Sequence, residues 1–384
     1  MKKEKYTIFY LARPKLNHTD NILPIILEIT YLYNIDSIRF FYFDKKIDSS
    51  FTKAEIDLFD IEGQINKELL TSHALKDLNL EYIKLPAPNL KINKTKFLSL
   101  LYSIYRNIKI LGILNSIIFQ KSIIIAHKLP ASIIFLKKLG NIFSKTLYFQ
   151  ISLKNCDKES TEFHDNNIIK DINLRPNNTD LYVQNCTAVL SSWEKNEYTN
   201  INKKNIPFVH IGYQRGLNTW QNFINTNINL YVEPEIKENF FFWPLSIEKR
   251  KYIDGQEFDL TDSSIEFLKL LKKINYPLQV VFRKHPTGSM SWIKKVCKEA
   301  NFHNYVISNA HPQQLIKKSY FTFGLTSSTL FCDAWYLNKP VVQYVSDKNN
   351  VPCVTDKHGN PIDSLYKTFV DYFILFDEEK LINI

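Results

Sequence analysis

Residues 321–345 have the sequence FTFGLTSSTLFCDAWYLNKPVVQYV. An apolar stretch typical of a strand leads into Gly324 and a run of hydroxyl residues, and apolar residues at helical spacing come next. Pro340 marks the end of the helical pattern, and VVQYV predicts a second strand. The stretch therefore predicts a strand–helix–strand unit of a parallel sheet. A helix cap would account for one of the hydroxyls but not for the run.

The same alternation of strand and helix patterns runs through the rest of the chain. In the first half, strands are predicted at 5–12, 37–44, 81–87, 122–128 and 146–152. In the second half, strands are predicted at 239–246, 277–286 and 305–308, with helices at 263–274, 291–300 and 311–319. This order predicts an α/β fold of GT-B type, in which two Rossmann-like domains face a cleft and ligands bind at the carboxyl ends of the strands.

The length of 384 residues also favours two domains. We predict an N-terminal acceptor-binding domain over 1–216, a linker over 217–237 and a nucleotide-donor domain over 238–362. An amphipathic helix is predicted over 363–384, from where it can return to the first domain.

Charge narrows the range of partners. Basic residues outnumber acidic ones by 49 to 39, which gives a net charge of +10 and suits anionic substrates or an anionic membrane surface. The basic residues are scattered, without zinc-finger spacing or a basic helix, so nucleic acid is not an expected partner.

The cysteines and the apolar segments indicate where the chain resides. Five cysteines without a CxxC pair are typical of a reduced, cytosolic protein. The apolar stretch over 110–140 is broken by polar residues and Pro130, so no membrane-spanning segment is expected. The opening residues predict a strand and not a signal peptide. We therefore expect a cytoplasmic protein, peripheral on the inner membrane surface.

Two motifs follow neighbouring predicted strands in the second half of the chain. Residues 283–286 (RKHP) come after QVVF, and residues 324–328 (GLTSS) come after FTF. Gly324 permits close backbone approach, and hydroxyls beside a helix start can donate to phosphate oxygens. His285 is then a phosphate ligand or proton donor whose direction Pro286 fixes. A second such dipeptide, His311-Pro312, opens a predicted helix and is interpreted as structural, or at most as lying at the edge of the nucleotide site.

FRKHP followed by GLTSSTL resembles the bacterial GT-B sialyltransferases and polysialyltransferases. It is also similar to the CDP-glycerol glycerophosphotransferases. HIGYQR at 210–215 resembles, more loosely, the interdomain strand of that second family. The likeness covers roughly residues 277–345 and is only architectural elsewhere. It implies that no metal or other cofactor is needed, and that His285 is the general acid or phosphate ligand. The donor-binding residues it implies are Lys284, Pro286, Gly324, Thr326, Ser327 and Ser328.

The chain departs from the sialyltransferase pattern at the general base. That family carries an acidic Asp/Glu-Gly motif after an N-terminal-domain strand, but the comparable stretch here, TLYFQISLKN at 146–155, has no carboxylate. Glu162 and Asp165, in the polar loop that follows, are the catalytic candidates by position only. The motifs at 60–63 (DIEG) and 254–255 (DG) have suitable residues in unsuitable places.

Three functional hypotheses remain open. The leading one is a glycosyltransferase of bacterial capsule or lipooligosaccharide synthesis, which moves a sialic-acid or Kdo type sugar from a CMP-activated donor to an anionic glycan or glycolipid. The second is a polyol-phosphate transferase that uses CDP-glycerol or CDP-ribitol, with His127 or His164 as the base. The third is a non-catalytic nucleotide-binding subunit that has lost the base.

Overall fold

Described residues of the computed structural model fall in two compact units. The first unit comprises 1–153 and 177–221, and the second comprises 154–176 and 222–384. The structure describes residues 5–11, 16–43, 69–85, 104, 105, 108, 112, 122–126, 147–151, 186–189, 208–210, 213–245, 248–251, 257–284, 289–326, 328–345, 353–358, 360–364, 366–375, 379 and 380.

The first unit is built on a seven-stranded sheet in the order β3-β2-β1-β4-β5-β6-β7. All neighbouring pairs are parallel. The strands are β1 (Tyr6–Leu11), β2 (Ile35–Phe43), β3 (Leu80–Leu85), β4 (Ser122–Ala126), β5 (Leu147–Ile151), β6 (Cys186–Val189) and β7 (Phe208–His210). Described helices of this unit are α1 (Leu16–Leu32), α2 (Leu69–Leu75) and a short 3₁₀ turn (Gln214–Gly216). Since the order turns back at β1, this is a Rossmann-like sheet.

Helix α3 (Asn218–Thr226) spans the division between the units, and the second unit follows. Its six-stranded sheet has the order β12-β11-β8-β13-β14-β17, again with parallel pairs only. The strands are β8 (Phe240–Pro244), β11 (Gln279–Arg283), β12 (Tyr305–Ile307), β13 (Thr322–Gly324), β14 (Val341–Val345) and β17 (Tyr372–Leu375). The helices are α4 (Thr261–Lys273), α5 (Met290–Glu299), α6 (Pro312–Lys318) and α7 (Leu330–Tyr336), with a 3₁₀ turn at Lys367–Phe369.

Two small antiparallel hairpins complete the second unit. They pair β9 (Lys249–Lys251) with β10 (Glu257–Asp259), and β15 (Cys353–Thr355) with β16 (Pro361–Ser364). The central strand β8, FFFWP, is buried along its whole length because helices cover both faces of a parallel sheet. Its aromatic side chains pack against neighbouring rings: Phe241 stacks on Phe321 with centroids 5.0 Å apart. Phe267 of α4 stacks on Phe323 at 4.1 Å, which anchors that helix to the sheet.

The α/β class and the two Rossmann-like sheets predicted from the sequence are confirmed. A GT-B protein consists of two such domains, as predicted. The prediction of a helix over 363–384 is wrong up to residue 375, because Tyr372–Leu375 forms a strand, whereas the described residues 379 and 380 are helical. That strand adds to β14 in parallel, with Val342 opposite Tyr372. An available sheet edge and the apolar run YFIL together outweigh the amphipathic pattern.

Burial and hydrogen bonds fix much of the segment 217–237, which was predicted as a linker. Trp220 of α3 is completely buried. Beyond α3, the chain is fastened to the second unit: Nε2 of Gln314 donates to the carbonyl oxygens of Asn227 and Leu230, the latter at 3.0 Å. The backbone N–H of Lys237 donates to Oε1 of Gln279 at 2.9 Å. Residues 227–237 therefore belong structurally to the second unit.

Candidate functional site

The order of the second sheet defines where a ligand is expected. From β8 the chain first builds outward on one side through β11 and β12, then returns to build β13 and β14 on the other. The place where the direction reverses, between β8 and β13, is the topological switch point. In open α/β sheets, ligands bind beyond the carboxyl ends of the strands at such a point.

Both sequence motifs follow strands that pair directly with β8. Arg283, at the end of β11, lies opposite Pro244. Thr322 of β13 lies opposite Phe242, so Gly324 is level with Pro244 on the other side. Neighbouring strands are about 4.8 Å apart, so the two strand ends are about 10 Å apart. The sequence prediction that these motifs follow strands at one edge of a sheet is confirmed.

A small depression opens at this edge of the sheet. Its walls come from the end of β8, from the start of α4, from α5 and from the turn after β13. The lining residues are Trp243, Pro244, Leu245, Leu260, Ser264, Trp292, Gly324, Leu325 and Thr326. Two of the residues predicted to bind the donor, Gly324 and Thr326, thus line it together.

Gly324 is required by the turn itself. A β-carbon at this position would come within 2.7 Å of Cζ of Phe331 and 2.9 Å of the carbonyl oxygen of Thr326. No real side chain tolerates such distances without a shift of the turn or of the Phe331 ring. The packing of the β13–α7 turn therefore requires glycine at position 324, whether or not a ligand also approaches its backbone.

Of the described hydroxyl residues after Gly324, Ser328 caps the start of α7. Oγ of Ser328 accepts a hydrogen bond of 3.3 Å from the N–H of Leu330, and its carbonyl oxygen accepts one of 3.0 Å from Phe331. Thr329 precedes the helix without a side-chain cap, and Thr326 is buried. A serine hydroxyl that accepts a hydrogen bond still has its own O–H to donate. Capping by Ser328 is thus compatible with a second bond to a ligand oxygen.

The loop that carries the other motif is fixed on both sides. Before it, Nε of Arg283 donates to the carbonyl oxygen of Ala310 at 2.8 Å, and Lys284 is half-buried. After it, the N–H of Ser289 donates to Oε1 of Glu248 at 2.7 Å. Ser289 then caps α5 by accepting from the N–H of Trp292 at 3.4 Å.

Hydrogen bonds also join α4 and α5 at the depression. Nε1 of Trp292 donates to Oγ1 of Thr261 at 2.9 Å, and Thr261 donates to Oδ1 of Asp259 at 2.6 Å. Sequence reasoning did not select Glu248, Trp292 or Ser264. A serine just before a helical pattern predicts an N-cap, so Ser289 could have been identified from the sequence. Glu248, Trp292 and Ser264 reach this edge only through the folded topology.

Several predicted site residues lie outside the described part of the chain. They are His285, Pro286 and Ser327 of the motifs, the catalytic candidates Glu162 and Asp165, the alternative bases His127 and His164, and the motifs at 60–63 and 254–255. Their roles remain predictions.

His311 has the structural role that its position predicts. Its Nδ1 accepts from the N–H of Gln313 at 3.3 Å, while its own N–H donates to Oε1 of Gln314 at 3.0 Å. These bonds form a capping box at the start of α6, where Pro312 occupies the first turn. His311 is 3% exposed, so a helix cap accounts for this His-Pro pair.

The described residues contain neither a metal-binding cluster nor a membrane-spanning helix. Within the ranges that the structure covers, no three His, Cys, Asp or Glu side chains are grouped so that they could hold a metal ion. In the same ranges, every helix is too short or too polar to cross a bilayer.

No protein-family model and no curated protein matches the chain. Solved structures with similarity include UDP-GlcNAc 2-epimerase from Neisseria meningitidis bound to UDP-GlcNAc, with 13% identity over 88% of this chain and 82% of that chain and a TM-score of 0.45. Phytolacca americana UGT2 complexed with UDP-2-fluoro-glucose and pterostilbene has 10% identity over 100% and 92% of the chains, with a TM-score of 0.44. A glycosyltransferase from Rickettsia africae has 10% identity over 100% and 87%, with a TM-score of 0.45. Similarities this distant carry no argument about ligand or reaction.

Proposed function

We propose that this chain is a glycosyltransferase that uses a CMP-activated sugar of sialic-acid or Kdo type. The acceptor is a glycan or glycolipid of a bacterial capsule or lipooligosaccharide. The supporting observation is that Arg283 ends β11 and Gly324 ends β13, so that the RKHP and GLTSS motifs begin on the two strands that flank β8 at the switch point. Motifs that are 41 residues apart from Arg283 to Gly324 are thereby brought to one ligand-binding edge.

In this proposal the phosphate of the donor binds beside the turn after β13. Ser327 and Ser328 donate their hydroxyl hydrogens to its oxygens, while Lys284 supplies a positive charge from the neighbouring strand end. His285 protonates or hydrogen-bonds the leaving phosphate as the glycosidic bond breaks, and Pro286 holds its direction. A cationic or hydrogen-bonding group at that oxygen stabilises the charge that develops there.

The acceptor hydroxyl needs a base, for which Glu162 and Asp165 are proposed. The net charge of +10 favours an anionic donor and acceptor and contact with the anionic inner membrane surface at the cytoplasmic side. We also propose that the reaction needs no metal ion, so activity should survive EDTA.

Donor hydrolysis and thermal denaturation test this function together. CMP-sialate, CMP-Kdo, CDP-glycerol and a UDP-sugar are each incubated with the protein, and release of the nucleotide is measured. We expect release from a CMP-sugar, with CMP and CDP raising the melting temperature while UDP and GDP do not. Turnover of CDP-glycerol alone would establish the polyol-phosphate transferase instead. Binding of CMP without turnover of any donor would favour the non-catalytic subunit, and a larger thermal shift with UDP would overturn the donor assignment.

A further inference from the structure

The loop that carries the RKHP motif is bound at both ends by the short segment that follows β8. At its start, the N–H of Leu245 donates to the carbonyl oxygen of Arg283 at 2.9 Å. At its end, the N–H of Ser289 donates to Oε1 of Glu248 at 2.7 Å. Along the chain, residues 284–288 therefore lie between two anchors that both belong to the segment after β8.

The two anchors differ in chemistry. The first joins two backbone groups and continues the pairing of β8 with β11, so it does not depend on a side chain. The second is made by a carboxylate, and a charged acceptor forms a stronger hydrogen bond than a neutral one. The second anchor can therefore be removed by substitution of Glu248 alone.

Glu248 also connects the two helices that begin at this edge of the sheet. Its backbone carbonyl oxygen accepts from the N–H of Leu260 at 2.9 Å, while its side chain accepts from Ser289. Leu260 is the N-cap residue of α4, and Ser289 is the N-cap residue of α5. Since Leu260 lines the depression at the switch point, Glu248 holds the end of the RKHP loop against the wall of the candidate site.

A second glutamate makes a similar contact away from the switch point. Oε1 of Glu233 accepts from the N–H of Asn309 at 2.6 Å, and its Oε2 accepts from the hydroxyl of Ser308. These residues follow β12, the edge strand, which does not pair with β8. Glu233 and Glu248 are both half-buried. Glu233 therefore has the structural role of such a carboxylate without any link to the RKHP motif.

Building on the proposed function, we propose that Glu248 is a positioning residue that fixes the end of the RKHP loop so that His285 meets the leaving phosphate. It acts through His285 and does not contact the donor. A displacement of about 1 Å can lower a rate by about 10², so loss of this anchor should slow turnover. Glutamine at position 248 keeps a carbonyl oxygen that can accept from Ser289, although the charge is lost.

Three variants test this role. Glu248→Ala, Glu248→Gln and the control Glu233→Ala are compared by steady-state hydrolysis of CMP-N-acetylneuraminate and by thermal denaturation. We expect Glu248→Ala to lower kcat by about 10–10², with a smaller change in KM. Glu248→Gln should keep kcat within about threefold of wild type, because the hydrogen bond is retained. Glu233→Ala should melt lower than wild type, as Glu248→Ala does, but keep its kcat.

The inference has clear contrary outcomes in this comparison. Equal losses of kcat in the two alanine variants would mean that general destabilisation is the cause. A Glu248→Gln variant as slow as Glu248→Ala would mean that the charge acts and not the hydrogen bond. An unchanged kcat in Glu248→Ala would reduce the contact to a helix cap. Each of these results would overturn the positioning role.

A double variant tests whether Glu248 acts through His285. Adding Glu248→Ala to His285→Ala should cause little further loss of activity, because residues that act as a unit are not additive. Two losses that multiply in the double variant would overturn the inference.

Hydrogen exchange tests the anchor without any donor. The peptide that covers 285–289 should exchange faster in Glu248→Ala than in wild type, because the N–H of Ser289 loses its acceptor. The same peptide should be unchanged in Glu233→Ala. If wild type releases nucleotide from a different donor, the kinetic comparison is made with that donor. If it releases none, the proposed function fails, and exchange alone decides: an unchanged rate in Glu248→Ala would overturn the anchor.

Discussion

Nε2 of Gln313 donates a hydrogen bond of 2.8 Å to Oδ1 of Asp333, and both side chains are completely buried. Gln313 belongs to α6 and Asp333 to the first turn of α7. The bond therefore joins the helix that precedes β13 to the helix that follows it. It fixes the first turn of α7, directly after the hydroxyl residues proposed to bind phosphate.

Gln313→Leu should destabilise the protein by about 1.5–3 kcal/mol, because a buried acid loses a hydrogen-bond donor. Urea denaturation followed by far-UV circular dichroism measures the change. The control is Lys318→Ala on the same helix, whose hydrogen bond to Asn229 is exposed. It should change stability by no more than about 0.5 kcal/mol. Equal stabilities of the two variants would show that the Gln313–Asp333 bond contributes nothing.

Gly324→Ala should cost about 1–3 kcal/mol, since the new methyl group would collide with the ring of Phe331 and the carbonyl oxygen of Thr326. Gly112 supplies the control, because a β-carbon there would meet nothing within 4 Å. It lies in a helical turn, so Gly112→Ala should be neutral or stabilising by up to about 1 kcal/mol. Thermal denaturation of both variants tests the contrast, and an unchanged melting temperature for Gly324→Ala contradicts the packing described.

His285→Ala should lower turnover by roughly 10²–10⁴, the usual contribution of a positioned proton donor. His311→Ala should lower it by less than about tenfold while lowering stability by about 1 kcal/mol, the usual effect of losing a helix cap. Steady-state kinetics with saturating donor, alongside thermal denaturation, separates the two effects. An inactive His311→Ala beside a fully active His285→Ala would mean that the wrong histidine has been assigned.

Ser327→Ala and Ser328→Ala should weaken donor binding more than they slow turnover at saturation. A hydroxyl bonded to a charged phosphate oxygen contributes about 1.5–3 kcal/mol. Ser328→Ala should also reduce stability, because its Oγ caps the N–H of Leu330. Titration calorimetry gives the affinities. If the double variant binds donor as tightly as wild type, the hydroxyls are caps and nothing more.

Burial raises the pKa of the Cys297 thiol from its ordinary value of 9.0 to about 12, although a hydrogen bond with Tyr305 opposes the shift. Burial, with a smaller effect of the Asp363 charge, raises the pKa of Cys353 to about 12 as well. Above pH 9 these thiols ionise in the unfolded chain while they stay protonated in the folded one. The unfolded state then binds fewer protons, so the free energy of unfolding falls as pH rises from about 9 to 12.

Cys297→Ala and Cys353→Ala should each make that decline less steep. Urea denaturation at several pH values between about 8 and 11 measures the slope against wild type. Burial, the Cys297 charge and the Cys297 hydrogen bond raise the pKa of Tyr305, so Cys297→Ala also reduces the contribution of Tyr305 to the decline. Groups that contact neither thiol are common to all three proteins and cancel in the comparison. Curves that run parallel to wild type would show that neither thiol is perturbed.

The sequence was most informative where a strand is buried on both faces. VVF at 280–282 and FFFW at 240–243 are continuous apolar runs because helices cover both sides of the sheet, and such runs are visible without a structure. Each motif follows its strand immediately, so its place at the carboxyl edge could also be predicted. That β11 and β13 share β8 as a neighbour follows from strand order, which no local pattern encodes.

Other features depend on tertiary structure alone. Nothing in the local sequence distinguishes Ser264 from Ser263, since only the packing of α4 decides which of them lacks a partner. Glu248 is far in sequence from Ser289, whose N–H it accepts, and so gives no local signal. The strand at Tyr372–Leu375 was missed because its apolar residues suit a helix face as well, until β14 provides an edge.

That last strand has a consequence for solubility. Val341–Val345 of β14 is buried at every position and rich in β-branched residues, and β17 occupies one of its two sides. Without β17, the N–H and C=O groups along that side would be open to pairing with a strand from another molecule. A shortened chain that ends before Tyr372 should therefore self-associate, even though it keeps the two motif strands and the depression between them. Tyr372–Leu375 thus covers one side of β14 and reduces aggregation, although it is far in sequence from any residue proposed to bind the donor.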